Sequence, residues 1–136
     1  MLGGPIGYNT NMLKNRPIMM IVEDNKTIAN QYALLLSNLG AQPEICRDGD
    51  IANGRFDENL PAPRVIFLDL FLPGRDGGAL LDQIEANPKF NETRIVIVTA
   101  FPSYGLELQQ KHPHVNRVIA KPIDVRDFQA EIAMCA

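Results

Sequence analysis

RVIFLDLFLPGRDGG, residues 64–78, contains the pattern from which the fold of this chain can be predicted. It opens with the run Arg64–Leu70, which is almost entirely apolar, as expected of a strand buried on both faces of a parallel sheet. A turn rich in glycine follows, and Leu80, Leu81 and Ile84 then lie on one side of a predicted helix. This succession of strand, turn and helix predicts one unit of an α/β fold.

The same alternation continues along the rest of the chain. Short apolar runs predict four further strands, and the longer amphipathic segments between them predict helices. The four further predicted strands are Ile18–Val22, Pro43–Arg47, Arg94–Thr99 and Val118–Ala120. The sequence therefore predicts a parallel sheet with helices on both faces.

Polar residues and glycine mark the ends of several predicted helices. Asn25 and Asp124 are suited to cap the first and the last helix, and Gly40 is suited to end the first in a left-handed conformation. A second helix is expected within Gly49–Asn59. The fourth helix, around Leu106–Lys111, is predicted to be short or irregular because proline and glycine residues interrupt that segment.

Length and composition favour a single domain. The chain has 136 residues, 46% of them hydrophobic, which is sufficient for a core without disulfides. Residues 1–17 are predicted to form a flexible N-terminal extension, and residues 18–136 the domain. The net charge of −3 disfavours direct nucleic-acid binding. No signal peptide and no apolar run of about 18 residues is found, so we expect a cytoplasmic protein without a membrane segment.

Polar residues come at the carboxyl ends of four predicted strands. They are Glu23 and Asp24 after the first strand, Asp69 in the third, Thr99 in the fourth and Lys121 after the fifth. In open parallel sheets, ligands bind beyond the carboxyl ends of the strands, where the strand order reverses. We therefore expect these five side chains to form one site.

The chemistry of this set is suited to an acyl-phosphate. Three carboxylates that lie close together repel one another unless a hard cation with oxygen ligands, most simply Mg²⁺, neutralises them. One carboxylate can then attack phosphorus, while an ammonium group and a hydroxyl stabilise charge on the phosphoryl oxygens. Lys121 and Thr99 match these last two roles.

The motifs around these residues carry a resemblance to a known family. They are an acidic pair after the first strand, Asp-x-x-x-Pro-x-x-x-Gly after the third, Thr-Ala after the fourth and Lys-Pro after the fifth. In this sequence they are Glu23-Asp24, Asp69 to Gly77, Thr99-Ala100 and Lys121-Pro122. From about Pro17 to its C-terminus the chain resembles the receiver domain of bacterial response regulators, of two-component signal transduction systems. The resemblance implies a flavodoxin-like, doubly wound, five-stranded parallel sheet of order 2-1-3-4-5.

The resemblance also implies how the phosphoryl group is received. Asp69 would accept it from a histidine kinase or a histidine phosphotransfer protein. Asp24, Asp69 and the backbone carbonyl of Phe71 would bind Mg²⁺, with Glu23 acting through a water molecule. Beyond this self-phosphorylation and its reversal by autodephosphorylation, no enzymatic activity is expected.

Signal output is likewise implied by the resemblance. Lys121 would contact the phosphoryl oxygens, Thr99 would move to hydrogen-bond the phosphoryl group, and Lys121-Pro122 is expected to be a cis peptide. Phosphorylation would then change contacts with a downstream protein target, and the sequence leaves a homodimer open.

The chain departs from the usual family pattern near the site. Val118 stands three positions before the lysine, where the family usually has an aromatic residue that rotates on activation. Phe101 or Tyr104 could take over as the reporter of Thr99 movement, a hypothesis under which Tyr104→Ala alters partner binding. Phe71 and Phe101 lie two positions after the acceptor and the threonine, where bulky apolar groups should hinder attacking water. We therefore expect a long-lived phosphoaspartate.

Two other functions compete with this interpretation. A pseudo-receiver would keep the fold as a protein-interaction scaffold without accepting phosphate. An aspartate-nucleophile phosphohydrolase would need a general acid two residues after the nucleophile, and Phe71 cannot donate a proton. The segment His112-Pro113-His114 could suggest a metal ligand pair, but it is interpreted as a loop without assigned function.

Overall fold

The computed structural model describes residues 16–135, so residues 1–15 of the predicted extension lie outside the described part. The five strands are β1 Ile18–Val22, β2 Gln42–Cys46, β3 Val65–Asp69, β4 Arg94–Thr99 and β5 Val115–Ala120. The five α-helices are α1 Lys26–Asn38, α2 Gly49–Asp57, α3 Gly77–Ala86, α4 Pro102–Lys111 and α5 Val125–Met134. A short 3₁₀ helix, Pro88–Phe90, joins α3 to β4.

The strands form one parallel sheet in the order β2-β1-β3-β4-β5, which confirms the predicted topology. After β2 the chain crosses back over β1 and adds the remaining strands on its other side. The strand order therefore reverses between β1 and β3. A crevice at their carboxyl ends is the expected ligand position in such a sheet.

Both faces of the sheet are covered, because successive side chains of a buried strand point to opposite faces. Met20 and Ile66 lie on the face that packs against α2, α3 and α4. Met19 and Phe67 lie on the opposite face, against α1 and α5, where the rings of Phe67 and Phe128 meet edge to face at 5.1 Å. The two apolar clusters thus pack the sheet between two layers of helices.

The predicted helix caps are confirmed. The Asn25 side chain accepts a hydrogen bond from the Ile28 N–H at 3.0 Å, and Gly40 has the left-handed φ of +98°. Asp124 accepts from the N–H groups of Arg126 and Asp127 in a capping box. Local polar residues thus set the start of α1 and α5 as the sequence predicts.

Helix α4 corrects the prediction of a short or irregular fourth helix, because it is regular and ten residues long. Pro102 stands in its first turn, where no intrahelical N–H bond is lost. Gly105 is buried within it, and Pro113 lies beyond its C-cap, His112. The residues that suggested interruption therefore occupy positions that a helix tolerates.

Strand β5 begins at Val115, three residues before the predicted start at Val118. The polar residues that hid its beginning are satisfied by tertiary contacts. The Asn116 side chain accepts from the Ile95 N–H at 2.8 Å, and Arg117 pairs with Asp127 at 2.6 Å. Polar side chains can therefore occupy the edge strand of this sheet.

No helix within residues 16–135 is long and apolar enough to cross a bilayer.

Candidate functional site

The carboxyl ends of the strands bring the predicted site residues together. Glu23 and Asp24 directly follow β1, and Asp69 and Thr99 are the last residues of β3 and β4. Lys121 directly follows β5. All five residues therefore lie at one edge of the sheet, around the point where the strand order reverses.

Lys121 joins the two buried carboxylates of the site. Its Nζ donates to Glu23 Oε1 at 2.8 Å and to Asp69 Oδ2 at 3.0 Å. The other oxygens accept from backbone N–H groups, Glu23 Oε2 from Asn25 at 3.2 Å and Asp69 Oδ1 from Phe71 at 3.1 Å. Both carboxylates are thus held in place by two hydrogen bonds each.

Burial and ion pairing act in opposite directions at this site. Glu23 is 3% exposed and Asp69 is 7% exposed. Burial raises the pKa of Glu23, and the hydrogen bond from Lys121 only partly offsets this. Burial lowers the pKa of Lys121, but its hydrogen bonds to Glu23 and Asp69 outweigh that effect, so its pKa is raised overall. Lys121 therefore stays cationic at neutral pH.

A third carboxylate completes an acidic cluster. Oxygen atoms of Glu23, Asp24 and Asp69 lie within 4.8 Å of one another, and Asp24 is exposed to solvent. This all-oxygen set matches the ligands that Mg²⁺ prefers, with the exposed side leaving room for water. Lys121 contacts two of the three carboxylates, so an added divalent cation would relieve the repulsion that remains among them.

Thr99 is completely buried between the sheet edge and α4. Its Oγ1 accepts a hydrogen bond from the Phe101 N–H at 3.0 Å. A Cβ on Gly105 would meet the Thr99 methyl at 3.2 Å and the Val118 Cγ1 at 2.7 Å. Thr99 and Val118 therefore pack directly on the backbone of α4.

Three aromatic residues, Phe71, Phe101 and Tyr104, form an exposed aromatic cluster. The rings of Phe71 and Phe101 meet edge to face at 5.2 Å, and those of Phe71 and Tyr104 lie 5.7 Å apart. The exposed fractions are 54% for Phe71, 60% for Phe101 and 41% for Tyr104. The cluster links the loop after Asp69 to the start of α4 beside Thr99.

Tyr32 is a neighbour of the site that the sequence pattern did not single out. It lines a cavity that also borders Glu23 and Asp69, although its spacing indicates only an apolar face of α1. Burial raises the pKa of Tyr32. The Lys121-Pro122 peptide is cis, as expected.

A family model for the response regulator receiver domain matches residues 19–133. The chain belongs to this family. This receiver domain is 30% identical over 119 residues to the response regulator Rcp1 of a Synechocystis strain, covering 82% of this chain and 80% of Rcp1.

Longer relatives match as well. The sensory transduction protein RegX3 of Mycobacterium tuberculosis is 30% identical over 119 residues, which cover 84% of this receiver domain's chain and 48% of RegX3. The regulatory protein VanRB of Enterococcus faecalis is 28% identical, with 79% of this chain and 47% of VanRB covered. The chain thus spans about half the length of these two relatives.

Solved structures agree with the fold. A CheY-like response regulator receiver domain from Methylobacillus flagellatus has a TM-score of 0.71 and 25% identity, with 90% of this chain and 100% of that chain covered. The Mn²⁺-bound form of Rcp1 has a TM-score of 0.70 and 27% identity, with 87% of this chain and 91% of that chain covered. The receiver domain is thus similar in sequence and fold to a response regulator whose structure contains a divalent cation.

Proposed function

We propose that this receiver domain accepts a phosphoryl group on Asp69. The observation that carries the proposal is the bridge from Lys121 to both Asp69 and Glu23, at the reversal of strand order in a chain of this family. The bridge holds an Asp69 carboxylate at the base of a crevice, with a cation ready to contact incoming phosphoryl oxygens. A structural ion pair would not need the third carboxylate, Asp24, beside it.

Magnesium is the proposed cofactor. Glu23, Asp24 and Asp69 would hold the ion, with the backbone carbonyl of Phe71 as a further ligand. When bound, the ion supplies positive charge that offsets the negative charge of the carboxylates and the phosphoryl oxygens. The three carboxylates among these ligands already lie within 4.8 Å of one another.

The remaining residues position the phosphoryl group. An oxygen of Asp69 bonds to phosphorus as the bond between phosphorus and the donor's histidine nitrogen breaks. Lys121 keeps its charge near the transferred oxygens, and the Thr99 hydroxyl leaves the Phe101 N–H to donate to one of them. Transfer then depends on orientation and charge more than on covalent catalysis by the protein.

The donor in this proposal is a histidine kinase or a histidine phosphotransfer protein in the cytoplasm, and the output is a changed contact with a downstream protein. Self-phosphorylation and autodephosphorylation are the only reactions assigned to the domain. The identity of Phe71, two residues after Asp69, argues against a phosphohydrolase, because its ring cannot act as a general acid.

Acetyl phosphate with Mg²⁺ provides the test. We expect the intact mass of the protein to rise by one phosphoryl group, and Asp69→Asn to abolish this adduct. Asp50→Asn, which changes an exposed carboxylate at the start of α2, serves as the matched control and should still form it.

Other outcomes separate the competing functions. If neither acetyl phosphate nor a phosphorylated histidine phosphotransfer protein labels the protein, it is a scaffold rather than a phosphoacceptor. Sustained turnover of a phosphomonoester that depends on Asp69 would instead support a phosphohydrolase.

A further inference from the structure

A second cluster of ligand-type side chains lies between α3 and the end of α4. Asp82 and Glu85 project from α3, and His112 is the residue that caps the C-terminus of α4. Both helices begin at the carboxyl edge of the sheet and run back towards the opposite edge. His112 therefore lies away from Asp69, and this cluster is separate from the phosphoacceptor pocket.

The geometry of this cluster is close to that of a three-residue metal site. The His112 Nδ1 lies 2.6 Å from Glu85 Oε1 and 3.8 Å from Asp82 Oδ1. One ligand atom from each of the three residues can be chosen so that all lie within 4.8 Å of one another. Asp82 and Glu85, three residues apart in α3, lie on the same side of that helix.

The three side chains of the cluster differ in their exposure to solvent. His112 is 12% exposed and Glu85 is 21% exposed, whereas Asp82 is 76% exposed. The imidazole and one carboxylate are thus held in place, and the side towards Asp82 is open to solvent. Water molecules could complete the coordination there, as in sites with three protein ligands.

The charge at the cluster also favours a cation. Across residues 16–135, no lysine or arginine forms an ion pair with Asp82 or Glu85. A hydrogen bond between His112 and Glu85 explains why those two residues meet. Asp82 then lies 3.8 Å from the same imidazole nitrogen without a Lys or Arg partner among the described residues, and a shared metal ion would supply the missing positive charge.

We propose that Asp82, Glu85 and His112 bind a divalent transition-metal ion of the Zn²⁺ class. An imidazole nitrogen with two carboxylate oxygens suits Zn²⁺, whereas Mg²⁺ prefers oxygen ligands alone, as in the acidic cluster around Asp69. The ion replaces the hydrogen bond between His112 and Glu85 and cross-links α3 to the end of α4. The site is independent of phosphoryl transfer.

The composition of the chain makes this proposal easy to test. It contains two histidines and two cysteines in total. Cys46 is buried, and burial raises the pKa of its thiol to about 12, which keeps it in the poorly ligating protonated form. His112, His114 and Cys135 are therefore the nitrogen and sulfur side chains to separate by substitution.

Calorimetric titration of Zn²⁺ into the full chain provides the first test, with excess Mg²⁺ to occupy the pocket around Asp69. We expect one site per chain. His112→Gln and Glu85→Gln should each weaken it by on the order of tenfold or more. His114→Gln and Cys135→Ser are the matched controls and should leave the affinity unchanged. Glu85→Gln retains a hydrogen-bond acceptor for His112, so its effect reports the lost ligand charge rather than a lost helix contact.

A measurement on the unmodified protein guards against misfolded variants. In long-range ¹H–¹⁵N spectra, Zn²⁺ should displace the His112 Nδ1 resonance and leave the ring nitrogens of His114 in place. The proposal is overturned if Zn²⁺ leaves the His112 ring unperturbed, or if His112→Gln binds Zn²⁺ as tightly as the unmodified chain. If His114→Gln loses as much Zn²⁺ affinity as His112→Gln, the site lies in the loop after α4 and the proposal is wrong.

Discussion

At the scale of single residues, hydrogen bonds hold the carboxylate of Asp69, the proposed phosphoacceptor, in place on both of its oxygens. Lys121 contacts one oxygen of Asp69, and the Phe71 N–H contacts the other. Such preorganisation lowers the cost of orienting the nucleophile during transfer. In the proposed phosphorylated form, the exposed rings of Phe71 and Phe101 would limit how easily water reaches the phosphoryl group.

These rings lead to a prediction about the lifetime of the phosphorylated form. Phe71→Ala or Phe101→Ala should accelerate loss of the phosphoryl group, because each removes apolar bulk where water would approach. The unmodified domain should hold its phosphoaspartate for minutes or longer with Mg²⁺ present. Radiolabel release or the decay of the phosphorylated mass measures both rates.

Leu106→Ala is a suitable control, since Leu106 is an exposed apolar residue of α4 outside the aromatic cluster. The phosphoaspartate of this variant should have the same lifetime as that of the unmodified domain. A half-life of seconds in the unmodified domain, or no acceleration in either phenylalanine variant, would show that the rings do not shield the site.

At the scale of secondary-structure elements, α4 is the helix that contacts the candidate site most closely. Gly105 allows its backbone to lie against the side chains of Thr99 and Val118. A large aromatic ring at position 118 would compete for the same space. Any displacement of Thr99 on phosphorylation would therefore act directly on α4, without the rotating aromatic residue that is usual in the family.

Gly105→Ala tests this close contact. The added Cβ would lie 2.7 Å from the Val118 Cγ1 and 3.2 Å from the Thr99 methyl, so either the Val118 side chain or α4 must shift. We expect the free energy of unfolding to fall by about 1–3 kcal/mol through overpacking. Urea denaturation measures this change.

Gly54→Ala in α2 provides the matched control, because a Cβ there has no atom within 4 Å. It should raise the free energy of unfolding by about 0.5–1 kcal/mol, since alanine is the better helix former. Equal effects of the two substitutions would mean that the contact of α4 with Thr99 and Val118 is loose.

At the scale of the whole molecule, the fold concentrates negative charge at one edge of the sheet. Three carboxylates converge there, Lys121 contacts two of them, and burial already disfavours the ionised form of Glu23. A ligand that binds only the native pocket shifts the folding equilibrium towards the native state. The proposed ion should therefore stabilise the entire domain.

Thermal unfolding provides the measurement for this prediction. At a Mg²⁺ concentration of ~100 times the dissociation constant, the gain is about 2.7 kcal/mol, which corresponds to a Tm rise of roughly 10 °C. Asp24→Asn should remove most of this rise, and NaCl at the same ionic strength should not reproduce it. A Tm that is insensitive to Mg²⁺, or equally raised in Asp24→Asn, would contradict the proposed ligand set.

Much of the fold could be predicted because its signals are local. A run such as Val65–Leu68 is apolar since both faces of its strand are covered, and Asn25 and Gly40 act on the backbone beside them. The residues of the candidate site were found in the same way, because parallel strands must end at a common edge. The prediction failed where a local signal was ambiguous, as in α4, whose proline and glycine fit a helix once it is packed on the sheet.

The sequence by itself therefore determined the order of the elements, the receiver family and the edge at which Asp69 and Lys121 would meet. Only the tertiary structure decided which side chains from distant elements share a space. Examples are Tyr32 in the same cavity as Asp69, Gly105 against Thr99, and Glu85 with His112. The physical reason is that periodicity and capping depend on neighbours along the chain, whereas these contacts depend on how helices and strands pack in three dimensions.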